Sequence, residues 1–70
     1  MPLKLRFVVC DVVGDRIART FYVEDAAAIV ALHAGGTIRA GHRVLWREGV
    51  DGQAGESYDR VAEVALHRLT

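Results

Sequence analysis

The sequence predicts a small α+β domain, an antiparallel sheet of three to four strands carrying two helices in the order ββα(β)βα. Three observations carry that expectation. The run LKLRFVV near the N-terminus alternates with the two-residue period of a half-buried strand, and ESYDRVAEVALHRL near the C-terminus spaces its apolar residues at helical intervals. Between them the chain shows no repeat, no low-complexity tract and no linker long enough to divide it, so residues 1–70 form one domain.

In the first strand Leu3, Leu5, Phe7 and Val9 share one face, and Lys4, Arg6 and Val8 the other. Gly14 and Asp15 in VGDR mark a turn, after which Ile17, Arg19, Phe21 and Val23 line one face of a second strand and complete a hairpin. In EDAAAIVALHAGG, Glu24 and Asp25 cap and charge the start of a helix from about Asp25 to Ala34, which Gly35 and Gly36 end. That helix is apolar almost all round and wants covering on more than one side. Ile29 and Leu32, three apart, share the inward face, which sets Val30 outward as the point of self-association.

In TIRAGHRVLWREG, Gly41 interrupts a strand around Ile38, the optional one, and Gly49 closes a run of β-formers. Strict alternation places Val44 and Trp46 on one face and Arg43, Leu45 and Arg47 on the other, with Trp46 packed under a helix. The closing helix aligns Tyr58, Val61, Ala62, Ala65 and Leu69. Ser57 is its N-cap, Glu56 to Arg60 and Glu63 to His67 are spaced for i,i+4 contacts, and His67 and Arg68 suit its C-terminal dipole.

A chain of 70 residues buries only about 60% of the surface its unfolded form exposes, so its core is thin. Cys10 stands alone and no intrachain disulfide is possible, which makes a symmetric dimer the expected support. A single cysteine and a short N-terminal apolar run interrupted by acids point to the cytoplasm, and no apolar run is long enough to span a membrane. Nine basic residues balance nine acidic ones, which removes a global electrostatic case for nucleic acid. The charge is nevertheless segmented. Arg39, Arg43 and Arg47 fall in one window with His42 and no acid, whereas Glu48, Asp51, Glu56, Asp59 and Glu63 follow. The candidate binding residues are therefore Arg39, His42, Arg43, Trp46 and Arg47, facing a protein partner or, as the alternative, nucleic acid.

From Asp25 to Gly49, the alanine-rich helix, GGTI and VLWREG resemble the helix, Gly-x-Ile turn and VWREG strand of bacterial GYF-type adaptor domains, small α+β modules that bind extended or proline-rich peptides. The segment between Gly36 and Val44 is longer than in that family, and RTFYV stands where its Gly-Pro-aromatic signature would be. The resemblance implies a similar helix-to-strand unit, with Trp46 and Gly49 at matching positions, and no proline-peptide specificity.

Catalytic and metal patterns are weaker. Cys10, His33, His42 and His67 show neither C-x-x-C nor H-x-x-x-H spacing, and Cys10 at the end of an apolar strand, before Asp11, suits a structural thiol. VVGD and AGGT lack the spacing of a phosphate loop. Removal of Met1 would expose a Pro2 amine, the base of small oligomeric tautomerases, but those continue from the first strand into a helix. The expectation is a noncatalytic interaction module that self-associates and needs no cofactor or metal.

Overall fold

The computed structural model describes residues 5–53 and 55–69. The chain runs β1 (Phe7–Cys10), β2 (Arg16–Thr20), α1 (Val23–Val30), β3 (Thr37–Ala40), β4 (Arg43–Arg47) and α2 (Tyr58–Leu69), an α+β order of ββαββα. All four strands join one antiparallel sheet in the order β2-β1-β3-β4. The optional strand around Ile38 is present, as the sheet's β3. Pro2, Leu3 and Lys4, with the expectations attached to them, lie outside the described residues.

The hairpin turn is built by Asp11, whose carboxylate accepts the amides of Val13 (3.1 Å) and Asp15 (2.9 Å). The second strand ends sooner than its alternation suggested: Thr20 Oγ1 accepts the Tyr22 amide at 3.1 Å, the chain bends, and Val23 opens α1 instead of extending β2. Tyr22 is the N-cap and makes no side-chain cap bond, so Glu24 and Asp25 act as first-turn charges and not as caps. The helix also stops sooner, at Val30. Residues 31–36 wind on through tighter bonds, among them Leu32 N–H to the Ile29 carbonyl and His33 N–H to the Val30 carbonyl. Gly35, at φ +79°, lies where a Cβ would strike Val12, and a Cβ on Gly36 would strike the carbonyls of Cys10 and His33.

The outward placement expected for Val30 is corrected here, since Val30 is 0% exposed. Val23, Ala26, Ala27 and Val30 recur at offsets of 3, 4 and 7 and form the inward stripe, with Ala26, Ala27 and Val30 fully enclosed. The second side of α1 is covered within the chain, by α2. Leu32, placed inward with Ile29, instead lies beyond the helix and is 82% exposed. On α2 the buried residues are Val61 and Ala65, with Val64 and Leu69 packed beside them, and Tyr58 is solvent-exposed. Ser57 does cap α2, accepting the Asp59 amide at 3.2 Å, and Glu56 pairs with Arg60 at 3.1 Å.

Both helices pack on one side of the sheet, around a core of Phe7, Val9, Ile38, Leu45 and Trp46. That Leu45 and Trp46 are adjacent in sequence and both 0% exposed contradicts simple alternation. A bulge explains it. Ile38 pairs with Trp46 and Arg39 with Val44, leaving Leu45 as an extra residue on β4 and shifting the phase of the strand by one. Trp46 is core as expected, but not beside Val44, which is turned to the opposite face; Leu45 takes that place.

Candidate interaction surface

Residues paired directly across strands project to the same side of a sheet. Ala18, Val9, Ile38 and Trp46 form one such row, on the helix side. The opposite side is made by two rows, Arg19–Val8–Arg39–Val44 and Arg16–Cys10–Thr37–Arg47. Two contacts agree with this assignment. Arg39 folds over Thr37, two residues away on the same face, with Nε donating to Oγ1 at 3.3 Å; Arg6, one residue before the inward Phe7, lies over Phe21 with its guanidinium carbon 5.5 Å from the ring centroid. Among the described residues no helix covers this side. Arg16, Arg19 and Arg47 are exposed and Val8, Arg39 and Val44 are half-buried, whereas Cys10 and Thr37, in the middle of the second row, are buried, so the face is open at its arginines and closed around Cys10 and Thr37.

None of the four strands contains an acid, although they carry Arg16, Arg19, Arg39, Arg43 and Arg47. The ion pairs Arg60–Glu56 and Arg68–Asp51 involve none of the open-face arginines. The uncovered face is thus a basic surface with apolar side chains set between the charges. Asp51 tempers one corner, since its Oδ2 accepts the Arg47 amide at 2.7 Å.

The sequence-derived ribbon is divided by the fold. Arg39 and Arg47 lie on the open face, but Arg43 pairs with the buried Ala40 and turns to the helix side, where its Nη1 donates to the Arg68 carbonyl at 2.5 Å. The bulge at Leu45 separates Arg43 from Arg47. His42 is exposed in the β3–β4 turn beside Gly41. Trp46, 0% exposed, is unavailable as a contact residue; its indole Nε1 donates to Glu48 Oε1 at 2.8 Å. Arg6, Arg16 and Arg19 were not among the candidate binding residues. The available signal was the absence of acids from every β-forming run.

Beside this surface, Arg68 fixes the end of α2. It reaches the Leu45 carbonyl at 3.2 Å and grips Asp51 through two bonds of 2.6 and 3.0 Å. Burial by itself would push the Asp51 carboxyl up, but the Arg68 hydrogen bond, the Arg47 amide and the charges of both arginines outweigh it and hold the group below its ordinary 3.8. A shallow depression lies between Gly52, Gln53, Gly55, Glu56 and Arg60. Among the described residues no three of His, Cys, Asp and Glu gather where they could hold one metal ion, and no helix is long and apolar enough to cross a membrane.

Comparison with known proteins finds no matching family model, no matching curated protein and no matching solved structure.

Proposed function

We propose that this chain is a noncatalytic interaction module that engages a macromolecular partner through the uncovered face of its sheet. The observation supporting this reading is the asymmetry of the sheet: one side is closed by two helices, and the other presents arginines in cross-strand rows with Val8 and Val44 between them. A surface that combines accessible charge with half-buried apolar contact suits association more than catalysis, which would need a convergent group of titratable residues. The single cysteine, Cys10, buried and unpaired, fits a reducing compartment, and the cytoplasm belongs to the same reading. Photo-crosslinking in cells tests it. A benzophenone side chain in place of Arg19 or Val44 should give adducts of defined mass, whereas one in place of Glu63, on exposed α2, should give few. Equal labelling from both sides, or none from the sheet, would end the proposal.

Self-association is a second reading, and a different surface favours it. Val12 lies against Gly35, at the end of the segment that follows Leu32, and Val12, Val13 and Leu32 are all exposed. A second copy covering these side chains would supply the support a thin core lacks.

A further inference from the structure

Two strands end the sheet, β2 and β4, and their outer edges differ. That of β4 is closed by its own chain: the Arg47 N–H donates to Asp51 Oδ2 at 2.7 Å and the Leu45 carbonyl accepts Arg68 Nη1 at 3.2 Å. The Arg47 bond also sets the phase of the ladder, because in an antiparallel sheet the main-chain groups of successive residues point to alternate sides. With Arg47 pointing away from β3, its partner Thr37 points to β1, and so does Arg39. Cys10 and Val8, opposite these two, point back to β3, and Arg19, opposite Val8, points away from β1. The Asp11 N–H, which donates to the Asp15 carbonyl at 2.9 Å on the β2 side, agrees with this phase. Arg19, itself exposed, therefore presents its N–H and C=O along the outer edge of β2.

Such an edge selects its occupant twice. Its main-chain groups pair with another polypeptide backbone, which neither nucleic acid nor a small anion supplies. Its side chains select charge, since Arg16 and Arg19 are exposed and β2 holds no acid. Arginines on an edge repel a second copy of the same strand but leave it open to carboxylates. We infer that the outer edge of β2 takes up an extended acidic segment of another protein as an added strand, with its backbone bonded to Arg19 and its carboxylates beside Arg16 and Arg19. The inference rests on the interaction-module reading and names the partner's chemistry and how it is held.

Fluorescence anisotropy with a labelled, end-capped peptide of roughly seven residues, alternating glutamate and valine, tests it. The alternation sets the glutamates on the arginine side. This peptide should bind saturably, and a lysine–valine peptide or a single-stranded oligonucleotide should bind more weakly by about tenfold or more. N-methylation removes amide donors without altering charge. Methylating one alternate set of amides should abolish binding, and methylating the other should leave it within about twofold, because only one set faces the edge. The Arg16→Gln/Arg19→Gln pair should weaken binding about tenfold, and Arg60→Gln, on α2, should leave it unchanged. Should the double variant fail to fold, amide exchange on the wild type decides the same question: the Arg19 amide should exchange faster than that of Ala18 in the free protein and slow when the peptide binds. Absent saturable binding, equal effects of the two methylated sets, or equal binding of the lysine peptide overturns the inference. Slowing of the Arg19 amide with protein concentration alone would make a second copy the occupant, and also overturns it. Saturable binding that shifts Arg19 and Arg39 without slowing the Arg19 amide would end this inference while leaving the module reading in place.

Discussion

Trp46 is held by three neighbours of different kinds. The core packs on its ring, Glu48 accepts its N–H, and Gly52 leaves room for its edge, where a Cβ would overlap the indole. Trp46→Ala removes the largest fully buried side chain and strands a carboxylate that is itself 3% exposed, so it should cost about 3 to 5 kcal/mol and unfold much of the population. Trp46→Phe keeps most of the apolar contact but leaves Glu48 Oε1 without its donor, an expected loss of about 1 to 3 kcal/mol. Gly52→Ala acts from the other side by displacing the ring, and should cost a similar amount. Urea denaturation followed by tryptophan fluorescence for the Gly52 variant, and by circular dichroism for the other two, checks all three. A Gly52→Ala variant as stable as wild type would mean that the ring is not confined there.

The β4 strand shows why some elements were legible in the sequence and others were not. Alternation and helical spacing identified the hairpin and the closing helix, while acidic residues at its start and glycines at its end marked the first helix, because each depends on a pattern within a few residues. Alternation misassigned Leu45, Val44 and Arg43 because a bulge depends on the partner strand and leaves no mark in the strand's own alternation. Val30 failed for a similar reason: what covers α1 is α2, some thirty residues further on. The bulge makes a sharp prediction. Val44→Lys should change stability by under about 0.5 kcal/mol, whereas Leu45→Lys, next to it, should cost about 3 kcal/mol or more, the scale of burying an unpaired charge. Equal thermal stability of the two would remove the bulge from the account. The Asp51–Arg68 lock was equally invisible, since its halves lie far apart in sequence. Its carboxyl is held below 3.8 in the fold, so its stabilisation is complete above the unfolded value and is lost as pH falls through the folded one. Asp51→Asn should therefore lower stability at neutral pH and flatten the acid limb below about pH 4, measured by urea midpoints across pH.

At the scale of the whole molecule, its least dimension of 17 Å accommodates one sheet and one layer of helices. Half of the candidate site could be read directly: Arg39 and Arg47 were recognised, but as members of a linear ribbon. Their true neighbours, Arg19 and Arg6, come from the first hairpin and arrive only when β3 docks beside β1. Quaternary structure is separately testable. Leu32→Asp alters a side chain that is 82% exposed, so the melting temperature should hold within a few degrees while an assembled wild type falls to monomer mass by light scattering. A monomeric wild type would exclude self-association, and a variant that stays assembled would move the contact away from Val12, Val13 and Leu32.

That the strands hold arginines and no acid has a consequence for the chain as a solute. Its formal charge is zero, yet positive charge gathers on the sheet while carboxylates occupy the helices and connecting loops. That distribution separates charge across the sheet, offset in part by Arg60 and Arg68 on α2 and by Arg43, which turns to the helix side. In dilute electrolyte, copies should attract one another front to back, a heterologous contact that does not close and so grows into open stacks. Added salt screens that attraction over about 10 Å at 0.1 M, so moderate salt should dissolve the protein near neutral pH and not precipitate it. Turbidity that rises on dialysis into water and clears on adding sodium chloride would be the signature; an association driven by Val12, Val13 and Leu32 would instead be left intact or strengthened by the same addition.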